Sequence, residues 1–108
     1  MSRHALLTLV AAIGVLVGAT SCAAPAESQT VAIDGIRYQP ESLTVKVGDS
    51  VVWTNQDPFP HTVTSPSGGF DSHTIEPGRS WTYTATKVGE FPYTCTFHPM
   101  MKGMIQVK

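Results

Sequence analysis

From residue 31 onward the chain is a succession of short runs in which apolar and polar residues alternate, each closed by a turn signal. Val31-Ala32-Ile33 and Ile36-Arg37-Tyr38 flank Asp34-Gly35, a hairpin or bulge signal. Leu43-Thr44-Val45-Lys46-Val47 alternates before Gly48-Asp49, and Val51-Val52-Trp53-Thr54-Asn55 follows directly. The pattern returns in His61 to Thr64, Ser80 to Ala85, Phe91 to Cys95 and Met104 to Val107. Period-two runs of four to six residues, separated by Gly, Pro and Asp, predict seven or so strands in a sandwich or barrel. Trp53, Trp81 and Tyr83 are expected to carry much of its packing, and Ser65 to Arg79 reads as a surface connection.

The first residues follow a different rule. Arg3 and His4 give a short basic start, and Ala5 to Ala19 run without a charge. That length suits an export signal better than a membrane span. The run ends in Ala19-Thr20-Ser21-Cys22, which is similar to a bacterial lipobox. Three readings follow: lipidation and cleavage at Cys22, ordinary cleavage near Ala24-Pro25-Ala26, or an uncleaved anchor. All three put the domain outside the cytoplasm. The expected division is a signal peptide of lipoprotein type over 1–21, a small, polar tether over 22–30, and one domain over 31–108.

Removing the leader sharpens the composition. Residues 22–108 contain one leucine, Leu43, against eight valines and eleven threonines. Residues stiff at the β-carbon favour strands, so the domain should be all-β. The net charge of −1 and the lack of a basic block argue against a nucleic-acid partner. The two cysteines, Cys22 and Cys95, fall on opposite sides of the leader boundary and are not expected to pair. Cys95 is then a lone thiol in an oxidising compartment and requires an explanation.

The segment Cys95-Thr96-Phe97-His98-Pro99-Met100-Met101-Lys102-Gly103-Met104 supplies one. A cysteine at a strand end, a histidine three residues on and a methionine three further on can turn inward around one loop. Thiolate, imidazole and thioether form a soft donor set suited to copper. A second histidine would complete a trigonal plane, and His61 is the natural candidate. Singly, each residue has a plain structural explanation: core cysteine, turn histidine, packing methionine. Jointly they point to a metal site.

At these residues the chain resembles the cupredoxins, the small blue copper proteins, and most closely their amicyanin and plastocyanin-like members. The resemblance spans residues 31–108. It rests on Val51 to Asn55 leading to Pro60-His61, on Gly89-Glu90-Phe91-Pro92-Tyr93, and on the short Cys-x-x-His-x-x-Met loop. It implies a Greek-key β-sandwich of seven to eight strands holding one copper ion. The implied ligands are His61, Cys95, His98 and axial Met101, with Met100 pointing outward and Met104 entering the last strand. Asn55 is implied as the residue tying the two ligand-bearing loops together. Phe97 stands where such loops commonly carry proline, so its N–H is a candidate donor to the Cys95 sulfur. His73 has no matching role and reads as a surface loop residue.

The resemblance further implies a one-electron carrier rather than an enzyme, with an apolar docking patch of Phe59, Pro60, Phe97, Pro99 and Met100. The expected partners are redox proteins, whether a cytochrome, an oxidase or an amine-dehydrogenase-like donor, met in transient docking by a monomer. A membrane would be contacted only through the lipid anchor. A copper chaperone or storage module uses the same residue types and is the alternative; a copper enzyme would need a further open position or metal cluster.

Overall fold

The computed structural model describes residues 11–14 and 25–108. Most of the expected leader, and Cys22 with it, lies outside the described residues.

Two sheets face each other, as the composition requires. The first has the order β2-β1-β4-β7, from Tyr38–Gln39 (β2), Ser28–Ile33 (β1), Ser50–Asn55 (β4) and Ser80–Thr84 (β7). The second has the order β3-β9-β8-β5-β6, from Ser42–Val45 (β3), Lys102–Val107 (β9), Gly89–Thr94 (β8), Thr64–Ser65 (β5) and Phe70–Asp71 (β6). β1 pairs in parallel with β4, and β3 in parallel with β9; the other pairings are antiparallel. This is an all-β sandwich, with nine strands among the described residues where the sequence predicts seven or eight.

Alternation decides which side chains form the core. Along β4, Val51, Trp53 and Asn55 are buried while the residues between them are partly exposed. β8 contributes Phe91 and Tyr93, and β9 contributes Ile105 and Val107. Trp53 packs against Trp81 at 5.6 Å between ring centroids and edge-on to Tyr93 at 5.4 Å. Such offset and edge contacts add to the burial gain of the aromatics themselves. Tyr38 and Tyr93 are more deeply buried than Trp81 and Tyr83, which pack against the core from its margin.

The turn between β1 and β2 confirms the Asp34-Gly35 signal. Ile33 faces Tyr38 across the pair, and the chain reverses through Gly35 and Ile36 at φ values of 64° and 56°. Glycine takes such a φ freely, whereas a β-branched isoleucine there is strained.

Ser65 to Arg79 is not merely a surface connection. Phe70 and Ile75 are buried, β6 pairs with β5, and Ile75 bridges to His61. Phe70 packs at a tilt against Tyr83, with 4.3 Å between ring centroids, and closes the aromatic cluster. The expected strand from His61 to Thr64 is correspondingly shorter, with ladder pairing only at Thr64–Ser65 and the isolated bridge at His61. Single apolar residues in a run of Ser, Gly, Pro and Thr carry no periodicity, so local pattern could not reveal either anchor.

Strand directions place the site. β4 and β8 both run toward the same end of the sandwich, delivering Asn55 and Cys95 there, whereas Ser28, Ser50 and Thr84 share the opposite end.

Candidate metal centre

Cys95 follows the last residue of β8 and is completely buried. The loop beyond it closes on itself: Met101 N–H donates to His98 O at 2.9 Å, and Cys95 N–H donates to Met101 O at 3.4 Å. This turn brings the His98 ring back beside the cysteine. His61 arrives from the connection between β4 and β5, held by paired backbone bonds with Ile75 at 2.7 and 3.2 Å. Its side chain is fully buried.

The three donors converge. Cys95 Sγ lies 3.7 Å from His61 Nδ1 and 3.9 Å from His98 Nδ1, and the ligand atoms of all three residues lie within 4.8 Å of one another. These are separations expected of neighbouring donors around one first-row ion, whose bonds to nitrogen and sulfur run about 2.0–2.3 Å. A thiolate with two imidazoles fits copper, and the buried, preformed placement leaves little rearrangement for binding. The residues present therefore fit the metal that the sequence suggests.

The methionines separate clearly. Met101 is buried within the closed loop. Met100 is 83% exposed, and Met104 lies on β9 opposite Pro92, away from the cluster. His73 is exposed beside Asp71, with 3.8 Å between Nδ1 and Oδ2, and takes no part. Phe59, Pro60, Phe97, Pro99 and Met100 are all exposed, and His98 is half-buried.

Two expectations about supporting residues change. Asn55 is buried, but its amide donates to Phe59 O at 2.7 Å and Ile75 O at 2.9 Å, and its Oδ1 accepts from Asp57 N–H at 2.9 Å. It therefore braces the His61 segment and makes none of these bonds to the 95–101 loop. The bond to the sulfur comes not from Phe97 but from Thr62, whose N–H donates to Cys95 Sγ at 3.3 Å. Thr62 sits one residue after His61 in the segment that runs beside Cys95, whereas Phe97 lies in the bend that follows the cysteine. Thr62 Oγ1 also accepts from Thr96 N–H at 2.9 Å, so Thr62 is what joins the two ligand-bearing segments.

The second residue missed in the sequence is Asp57. Its carboxylate is buried and lies 2.7 Å from His61 Nε2. Burial alone would push its pKa up, but hydrogen bonds from the Ile36 and Gly35 N–H groups and from His61 outweigh that and hold it below the usual carboxylate range. The only hint in the sequence is an acidic residue four before the histidine, and Asp57-Pro58 reads equally well as a turn. Tyr38, pushed up by burial and by the nearby Cys95, donates its hydroxyl to Thr62 O at 2.6 Å and backs the site from within.

Comparison with known proteins agrees with this geometry. A family model described as "Cupredoxin-like domain" matches residues 7–107. Amicyanin from Paracoccus versutus is 29% identical over 89 residues, covering 78% of this chain and 67% of the relative. The solved structure of a Cu(I) amicyanin mutant superposes with a TM-score of 0.70 at 30% identity, covering 75% of this chain and 82% of that one. A copper-containing nitrite reductase from Thermus scotoductus SA-01 superposes with the same TM-score and identity, but the match covers only 22% of its chain.

Proposed function

Since the chain belongs to the cupredoxin family, we propose that it is an extracytoplasmic one-electron carrier whose type 1 copper site is formed by His61, Cys95, His98 and Met101. The observation that carries this reading is the convergence of His61 Nδ1, Cys95 Sγ and His98 Nδ1 on one point, with buried Met101 closing the same loop.

Copper bound there supplies a one-electron couple between Cu(I) and Cu(II). The protein's part is to keep the donor set unchanged between the two states. Cys95 and His98 are fixed by the bonds closing their loop, and His61 by its bridge to Ile75. Thr62 N–H donates to the sulfur and moderates its electron donation, which favours the reduced state. Rigid donors minimise the rearrangement that would otherwise slow transfer.

His98 is the one nitrogen donor that is not fully buried, and it opens onto the exposed patch of Phe59, Pro60, Phe97, Pro99 and Met100. Electrons pass there to redox proteins that dock briefly against this apolar rim, as a small, weakly charged interface allows. The carrier works as a monomer and catalyses no reaction of its own. The nitrite reductase is consistent with this, since the shared portion is a fraction of that enzyme.

The leader exports the chain and Cys22 receives lipid, with 22–30 as tether and 31–108 as the copper domain. β1 begins at Ser28 beside Ser50, at the end opposite Cys95, so an anchor ahead of it turns the copper end away from the membrane. A chaperone or storage role would require ready release of the metal, and two of its three strong donors are fully buried.

The test is the absorption spectrum and voltammogram of the Cu(II)-loaded domain. An intense thiolate-to-copper band with a reversible one-electron wave is expected. A colourless protein that surrenders copper to a mild chelator would favour the chaperone and overturn the carrier.

A further inference from the structure

The geometry points to Asp57 as a positioning residue that fixes the tautomer of His61 and, through the β1–β2 turn, sets how strongly that histidine donates to the metal. The inference rests on the ligand assignment above for its effect on potential, though not for the tautomer.

An ionised carboxylate can only accept hydrogen bonds. With Asp57 Oδ2 2.7 Å from His61 Nε2, the ring proton belongs on Nε2. Nδ1 is then left with its lone pair directed toward Cys95 Sγ, 3.7 Å away. The other tautomer would set a lone pair against a carboxylate and a proton in the metal position.

The same carboxylate is gripped from its other side. Gly35 N–H donates to Oδ1 at 2.7 Å and Ile36 N–H donates to Oδ2 at 2.9 Å, while Asp57 N–H is held by Asn55 Oδ1. Both turn N–H groups reach Asp57 from a turn in which Gly35 and Ile36 adopt positive φ, Ile36 at a steric cost. Strain of this kind persists where the surrounding contacts over-determine it. Here the turn and the histidine share one anion.

The electronic consequence has a definite sign. A carboxylate accepting from Nε2–H raises the basicity of the ring, which strengthens donation from Nδ1 and favours the more positive, oxidised metal. The two turn N–H groups draw off part of the carboxylate charge and so work in the opposite direction. Loss of the carboxylate should raise the potential, and loss of the turn's grip should lower it.

The experiment has three arms on the full chain. In the wild-type metal-free protein, nitrogen-15 NMR of the imidazoles should show His61 protonated at Nε2; a dominant Nδ1–H form overturns the inference whatever the metal chemistry proves to be. In the copper-loaded protein, Asp57→Asn should raise the reduction potential and weaken Cu(II) binding about 10- to 100-fold, with Asp57→Glu recovering part of both. Insertion of one glycine between Gly35 and Ile36, in an exposed turn, should lower the potential while keeping the Nε2–H form. A purely structural clasp would change the unfolding midpoint in these variants and leave tautomer and potential where they were. Should Asp57→Asn fail to fold, the wild-type spectrum and the turn insertion still decide the matter. A wild-type chain that binds no copper would overturn the carrier reading and leave the tautomer result standing.

Discussion

Thr62 grips Cys95 from the neighbouring segment: its N–H lies 3.3 Å from the cysteine sulfur, and its hydroxyl accepts from the N–H of Thr96 at 2.9 Å. Its carbonyl in turn accepts from the Tyr38 hydroxyl at 2.6 Å. One residue thus links the first histidine segment, the cysteine loop and the core tyrosines.

Removing the Thr62 hydroxyl should therefore loosen the cysteine loop without touching a donor atom. Thr62→Ala removes the partner of the Thr96 N–H, which should cost about 0.5–1.5 kcal/mol of stability. Thr62→Ser keeps the oxygen and should lose much less. Urea unfolding of the three metal-free proteins measures the difference, and equal losses for alanine and serine would show that the methyl contact, not the hydrogen bond, matters.

Asp49 should contribute to the acid sensitivity of the fold. Its two carboxylate oxygens accept from Glu27 N–H and Lys46 N–H, each at 2.9 Å, tying the start of β1 to the turn between β3 and β4. These backbone bonds hold its pKa below the usual carboxylate range. A depressed folded pKa contributes stability that is present above the unfolded value of about 3.9 and disappears as pH falls through the folded one. Asp49→Asn should thus be less stable at neutral pH and lose less on acidification, the two curves converging at low pH. Urea midpoints from pH 7 to pH 2 test this; parallel curves would exclude Asp49. Asp57 and Asp71 are depressed as well and should leave a residual acid dependence in the variant.

What could be read from the chain follows the range of the interactions. Cys95, His98 and Met101 occupy one loop, so their spacing alone brings them together, and the alternating runs around Trp53 and Tyr93 announce their strands. Phe70 and Ile75 were hidden because their burial depends on partners far along the chain, not on any local period. The residue type marks Asn55 as a brace, but its bonds to Phe59 and Ile75 depend on how the loop folds. Asp57 was masked by Pro58, which makes the pair read as a turn. The chain neighbours of Cys95 suggest Phe97 as the sulfur's donor, whereas the packing of the His61 segment beside the cysteine selects Thr62.

The three methionines after His98 should behave differently on substitution. Met101 is buried in the closed loop, while Met104 lines a surface groove with Glu41, Ser42, Pro92, Lys102 and Gly103. Met101→Ala should alter the visible spectrum and the potential of the copper-loaded protein. Met104→Ala and Met100→Ala should leave both unchanged. A spectral change on Met104→Ala that Met101→Ala does not produce would move the axial position to the last strand.

Gly103 and Tyr93 pack directly against each other, and the tyrosine contributes to the alkaline sensitivity of the fold. They face each other across β8 and β9, and a Cβ on Gly103 would overlap the Tyr93 ring. The Tyr93 hydroxyl accepts a bond from Trp53 Nε1 at 3.2 Å and its ring packs edge-on to Tyr38 at 4.7 Å, so the side chain cannot retreat without disturbing both. Burial pushes the Tyr93 hydroxyl up to about 12. A tyrosine whose folded pKa is raised contributes stability that is complete below its unfolded value of about 10 and is lost as pH rises through about 12. Gly103→Ala should therefore cost about 1–3 kcal/mol through overpacking. It should also bring the Tyr93 titration down toward the ordinary tyrosine value as the ring is forced outward. Ultraviolet titration of tyrosinate, followed alongside urea unfolding at neutral pH, reads both effects. A destabilised variant with an unmoved titration would mean that the strain is taken up by β9 bending away, with Tyr93 and its bond to Trp53 left in place.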